Sequence, residues 1–246
     1  MKARLAFLLV LILVTAGAFA LRSPFRGVRP FHADESVHAV KFRDLWERGQ
    51  YRYDPNEFHG PTIYYTALPV VKWFQRRDFA DTREGDYRLV TVIFGAALLP
   101  LFALFADGMG KRAVLIAALL CGISPAFVFY SRYYIQEVPL AFFTLGFLGC
   151  AWRYRRTPRM GWAIGAGLCA GLMIATKETA ALSFAAALAA LALTNRISRA
   201  ENSRDDKERG TERPSREGVP PTVLPDGTTR ICSPSPKVGR GDWGNG

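Results

Sequence analysis

The feature that most constrains this chain is a series of long apolar runs joined by short, mostly basic links. The runs cover residues 5–21, 89–106, 113–130, 138–152, 160–175 and 180–193. A helical bilayer crossing needs about 20 mostly apolar residues. Within lipid, a helix pairs its own backbone groups, which an open strand cannot do. Runs of this kind predict an all-α chain, a polytopic membrane helix bundle. The shorter runs are completed by polar flanks or by local thinning of the bilayer. Ala18-Phe19-Ala20 fits a signal-peptide cleavage pattern, but the long first run and the spans after it favour an uncleaved anchor.

Charge orients the bundle. The net charge is +11, and much of the excess lies in the short links and the tail. Short cytoplasmic loops collect Lys and Arg. Residues 1–4, Lys111-Arg112, 153–159 and 196–199 are the basic ends, and six spans put all of them on one side. Both termini are therefore expected in the cytoplasm. The opposite face receives 22–88, 131–137 and 176–179. No nucleic-acid-binding motif accompanies the charge. Cys121, Cys150, Cys169 and Cys232 lack ligand spacing and read as small residues. Gly165, Gly167 and Gly171 suit close helix packing.

The chain divides into a transmembrane part, residues 1–195, and a polar tail, 196–246. The tail has almost no apolar period and is expected to be disordered and cytoplasmic. The long first extracytoplasmic loop should carry interfacial helices. One starts near Asp34, with Asp34 or Ser36 as cap, and stops at Gly49. Val37, Val40, Lys41, Leu45 and Trp46 suggest that it lies amphipathically on the membrane. A second helix, Thr62 to Phe74, follows Pro61 and is too short to span.

Several polar residues in these loops could carry chemistry. Asp34 and Glu35 have two readings: carboxylates favoured by a helix N-terminus, or a general base at the membrane surface. His32, Asp34 and His38, with Glu35 and His59, form a candidate divalent-metal set, although no standard zinc spacing is present. Arg132 and Glu137 flank one short outer turn, where they could pair with each other or contact substrate. Lys177-Glu178 fills another, as a polar turn or as a hold on a lipid phosphate.

Four motifs in this order carry a resemblance: Phe31-His-Ala-Asp-Glu-Ser-Val-His38, Asn56-Glu-Phe-His-Gly-Pro61, Ser131-Arg-Tyr-Tyr-Ile-Gln-Glu137 and Thr176-Lys-Glu-Thr179. Over residues 1–195 the chain resembles the amino-terminal half of membrane glycosyltransferases of the GT-C type. It is most similar to glycosyltransferase family 39, the protein O-mannosyltransferase and aminoarabinose-transferase group. Within that group it looks like the set described as flippase-activity-associated proteins. The resemblance implies transfer of a sugar from a polyprenyl or dolichyl phosphate to a glycan, lipid or protein acceptor. Transfer would occur on the outer face of the cell membrane, with inversion at the anomeric carbon. It implies Asp34 as base, with Glu35 beside it and Glu137 as a second acidic position. It also implies Arg132 and Lys177, with His59 and Tyr133 in the same motifs, as donor-binding residues. Members of that family are longer, so a truncated or frameshifted copy is expected, and such a copy could be inactive. The competing readings are a non-catalytic protein that binds or helps translocate lipid-linked sugars, and a small transporter or scaffold. The last lacks support, since internal repeats and mid-span charges are not evident.

Overall fold

The computed structural model describes residues 2–54 and 59–211, with side chains to 204. The described residues contain helices and no strand, so the all-α expectation holds. The helices are α1 (Lys2–Arg22), α2 (Ala33–Arg48), α3 (Thr62–Trp73), α4 (Glu84–Leu101) and α5 (Ala106–Met109). Then come α6 (Lys111–Ile123), α7 (Pro125–Tyr130), α8 (Glu137–Arg156), α9 (Met160–Ile174) and α10 (Ala180–Thr211). Every apolar run is helical. Lys2–Arg22, Glu84–Met109 and Ala180–Arg204 are long and apolar enough to cross a membrane, and Met160–Ile174 is a shorter apolar helix. The protein is a multi-pass membrane protein.

The chain divides between Ala190 and Leu191 into two compact units, and the first holds α1 to α9 with the start of α10. The tail expectation needs correction over part of its length: α10 continues to Thr211, so residues 196–211 are helical. Residues 212–246 lie outside the described residues.

Prolines explain the irregular helices. Pro100 lies inside α4, and the helix tightens to 3-10 geometry over Phe102–Phe105 before α5. A proline there removes one backbone donor and crowds the preceding turn. The third run, which reads as one span, is two helices. Ser124 precedes Pro125 and is extended (ψ 122°), as a residue before proline prefers. Its side chain caps Phe127 N–H. The break orphans carbonyls at the end of α6, and the buried Arg22 side chain reaches across from α1 to Gly122 O (2.7 Å) and Cys121 O (3.4 Å). Gly95 of α4 leaves room for Ser131, whose hydroxyl accepts from Arg22 Nε. Of the glycines in α9, Gly165 packs on Cys150, while Gly167 and Gly171 have no neighbour where a Cβ would stand.

The outer loop folds as a small helical cap whose core of Ala39, Phe42, Leu45, Ile63, Tyr64, Ala67 and Val71 is completed by Tyr87 and Val90 of α4 and by Tyr134 of the turn before α8. A fully buried side chain of this size contributes about 1.5–3 kcal/mol. α2 ends at Gly49 in the left-handed conformation (φ 65°), as the sequence predicts. Two details of α2 differ from expectation. Its N-cap is His32, whose Nδ1 accepts from Asp34 N–H while the Glu35 carboxylate accepts from His32 N–H. Its inward stripe is Glu35, His38, Ala39, Phe42 and Leu45, leaving Val37 and Val40 exposed. Two polar residues belong to the inner face because their hydrogen-bond partners are there.

The central partner is Arg88, in the first turns of α4. Its Nε and Nη2 donate to the two oxygens of Glu35 (2.8 and 2.7 Å). Nη1 donates to Arg26 O and Arg29 O (both 2.7 Å), and Nη2 also donates to Pro30 O (3.1 Å). All five guanidinium N–H groups are thus used. Removing one member of such a buried pair strands the other charge, at a cost of about 3–5 kcal/mol. Glu35→Ala and Arg88→Ala should each lower stability in detergent by that amount, with the double variant losing little more than either single. Singles within about 0.5 kcal/mol of the parent would contradict this role.

Candidate active site

The cap lowers its polar residues onto the turns between spans. Thr62 N–H and Oγ1 both donate to Ala175 O at the end of α9 (3.3 and 2.8 Å). Gly60 sits so close to that carbonyl that an added Cβ would lie 2.1 Å from its oxygen. This contact sets His59 beside the α9–α10 turn, where its Nδ1 meets Glu178 Oε2 at 2.7 Å. Tyr53 Oη donates to the other Glu178 oxygen (3.1 Å), and Tyr51 Oη to His59 O (2.8 Å). Burial works against the Glu178 carboxylate, but its own backbone N–H, His59 and Tyr53 hold it below the usual range. In the same turn Lys177 Nζ donates to Glu137, the first residue of α8.

Next to these groups His38 is buried against Tyr64 Oη (3.0 Å) and Gln136 Nε2 (3.5 Å). Its ring centroid lies 6.3 Å from that of His59. Burial first, then the positive potential of His59, lower its pKa from 6.5 to about 4, against the opposing pull of Glu137 and Asp34. Burial likewise raises the Tyr64 hydroxyl well above its ordinary value. His38 is therefore a neutral hydrogen-bonding residue within electrostatic reach of Asp34, Glu137, Lys177 and His59.

The two acidic residues of α2 have opposite surroundings. Glu35 is fully buried and accepts from Arg88 twice, from His32 N–H (3.0 Å) and from Tyr134 N–H (2.9 Å). Burial would raise its pKa, but the Arg88 hydrogen bonds and the two backbone donors hold it below the usual range. Asp34 instead keeps a side chain 72% exposed, 3.6 Å from His32 Nδ1.

The structure separates two other residues that the sequence grouped. Lys177 and Glu137 stand at one end of an apolar groove of about 480 Å³ lined by Leu98, Phe102, Phe127, Leu140, Leu145 and Leu148. Arg132 lines a different cavity with Arg26, Arg29 and Arg88 and donates to Pro24 O. Tyr133 stacks on Arg29 (4.0 Å) and approaches His32 (5.9 Å between centroids). The metal set is not assembled: among the described residues no three His, Cys, Asp or Glu groups could hold an ion. His38 turns inward to Tyr64 while Asp34 points outward, and the Nδ1 of His32 caps the helix. Of the second motif, Asn56, Glu57 and Phe58 lie outside the described residues.

Sequence reasoning missed Arg88 and Tyr64, and it named Glu178, Tyr134 and Gln136 within their motifs without giving them a role in this assembly. Arg88 read as an ordinary basic flank of an apolar run, and its partner lies 53 positions away. The tyrosines lie among apolar residues of helices or turns and gave no periodic signal.

The family model described as dolichyl-phosphate-mannose-protein mannosyltransferase matches residues 60–205, more than half of the chain. The chain belongs to that family. The match contains His59's neighbour Gly60, Arg132, Glu137 and Lys177, and begins after Asp34 and Glu35. Among curated proteins none matches the chain.

Two expectations test the geometry. Gly60→Ala should cost about 1–3 kcal/mol through overpacking and slow disulfide formation between cysteines placed by His59→Cys and Glu178→Cys; unchanged crosslinking would refute the contact. Because folded His38 resists protonation until about pH 4 while the unfolded chain binds a proton near 6.5, stability should fall as pH drops between those values. Thermal unfolding across that window should be flatter in His38→Gln, and identical slopes in both proteins would exclude His38 as the cause.

Proposed function

We propose that this chain transfers a sugar from a polyprenyl-phosphate donor to an acceptor hydroxyl on the extracytoplasmic face of the cell membrane. The observation that carries the reading is the Lys177–Glu137 pair at the mouth of the apolar groove. Such a groove suits an isoprenoid tail, and a cation at its polar end suits the phosphate. The family's description, with its dolichyl-phosphate-linked mannose, supports a donor of this chemistry.

In this reading the phosphate draws Lys177 from Glu137, and His59 offers a second donor. The acceptor hydroxyl oxygen attacks the anomeric carbon as Asp34 removes its proton. The bond from that carbon to the phosphate oxygen breaks, and polyprenyl phosphate leaves with the electron pair. One displacement inverts the anomeric centre. Asp34 suits the base because it is exposed and ionisable. Glu35, with its lone pairs engaged, acts as a positioning residue that fixes the start of α2. Glu137 holds Lys177 in place until the donor arrives. Both termini lie in the cytoplasm, as the basic links favour.

The test is transfer from a synthetic polyprenyl-phosphate sugar, with donor binding measured in parallel. Asp34→Asn should reduce transfer by about 10²–10⁴-fold with donor binding retained. Lys177→Met should weaken binding itself. Undiminished transfer in Asp34→Asn would remove the base. Donor binding without transfer in the parent chain would favour a carrier-binding protein.

A further inference from the structure

A second polar cavity remains unexplained by this chemistry. It encloses about 210 Å³ and is lined by Phe25, Arg26, Arg29, Arg88, Phe129 and Arg132. It shares no lining residue with the apolar groove that ends at Lys177. It lies where α1 and α7 end, at the border between spans and cap.

The charges around it are unbalanced. Arg88 is matched by Glu35, and Arg29 reaches the same carboxylate at 3.6 Å. Among the described residues neither Arg26 nor Arg132 has a carboxylate at ion-pair distance. Arg26 donates to Gly85 O and Ser23 O, and Arg132 to Pro24 O. Each therefore keeps guanidinium N–H groups free of these bonds. Burial lowers the Arg26 pKa against the pull of Asp86, and repulsion from Arg132 adds to the lowering. Four guanidinium groups line one cavity with a single carboxylate, that of Glu35, paired among them, which favours an anion that joins them, and guanidinium forks match phosphate oxygens.

The rim indicates where that anion comes from. Phe25 adopts a left-handed backbone (φ 58°) and is 77% exposed. That conformation is strained for a residue with a Cβ. Phe129 and Tyr130 are also half exposed beside it, and the Arg29 guanidinium carbon sits 4.0 Å from the Tyr133 ring centroid. Outward aromatic rings at span ends fit the headgroup level of a bilayer. The volume is below the range of about 300–1,000 Å³ usual for whole small-molecule ligands, which suits a headgroup whose tails remain in the membrane.

We propose that Arg26, Arg29 and Arg132 bind the phosphate of an anionic phospholipid, at a site distinct from that of the sugar donor. The bound headgroup would tie the turn after α1 to the turn after α7, steadying the segment that Arg88 anchors. This inference uses the donor site only as a contrast, so either can fail alone.

The test is lipid retention by the full-length chain, measured by native mass spectrometry after exchange with phosphatidylglycerol or phosphatidylcholine, with unfolding temperature recorded for each protein. The parent chain should retain phosphatidylglycerol in preference to phosphatidylcholine. Arg26→Gln/Arg132→Gln should weaken that retention at least about tenfold, equivalent to 1.4 kcal/mol. The single variant Arg132→Gln, at a partly exposed position, should weaken it in the same direction while its unfolding temperature in phosphatidylcholine stays that of the parent. Lys177→Met should lose donor and keep phosphatidylglycerol, and millimolar inorganic phosphate should not displace the lipid. Equal phosphatidylglycerol retention by parent and arginine variants would overturn the site. Displacement by free phosphate would overturn the lipid as its occupant, and loss of donor in the arginine variants but not in Lys177→Met would make the cavity part of the donor site.

Discussion

The paired hydrogen bonds between Glu35 and Arg88 organise everything above the spans. Arg88 belongs to α4, a helix of the bundle, and Glu35 to α2, a helix of the cap. Through one guanidinium the bundle grips three carbonyls of the connecting segment and the first turn of α2. Glu35 then passes the constraint on to Tyr134 N–H, in the turn before α8. Two sequence-distant turns and a helix start are thereby fixed to one buried charge pair. Without a partner either charge would be costly in that setting, which gives the arrangement its specificity.

A second clamp works below it. Arg22 answers the carbonyls exposed by the Ser124-Pro125 break and meets Ser131 where Gly95 leaves space. The break lets the chain turn through Tyr130 and present 131–137 to the cap. The short turn after α9 arrives at the same place through Ala175 O, held by Thr62 and closed over by Gly60. Asp34, His59, Glu137 and Lys177 consequently lie within electrostatic reach of His38 although they come from four separate stretches of chain. Their surroundings follow from burial and pairing rather than residue type: one carboxylate of α2 is locked by Arg88 and its neighbour is exposed.

Much of this architecture is legible in the sequence. Apolar runs locate the three helices long enough to cross a membrane, because length and hydropathy alone decide whether a segment can cross lipid. Gly49 and Pro61 mark cap-helix ends, since backbone constraints act locally. Asp34 and Glu35 look equivalent in sequence, and only the reach of Arg88 distinguishes them. The inner face of α2 departs from its apolar pattern because Glu35 and His38 point inward to partners that hydropathy cannot reveal. Arg132 and Lys177 share a charge and an expected side, but fall on different cavities because the turns carrying them pack against different helices. The helical extension of α10 past residue 195 runs through polar sequence that composition assigns to coil.

The claim on which the rest depends is that the first-loop helix and the turns after α7 and α9 meet at one surface of the membrane. Membrane-impermeant maleimide labelling of intact cells measures it, with the four native cysteines replaced and single cysteines introduced as Asp34→Cys, Glu178→Cys or Arg155→Cys. The first two should label from outside, and the third only after permeabilisation. Labelling of the first two from opposite sides would contradict the site described here.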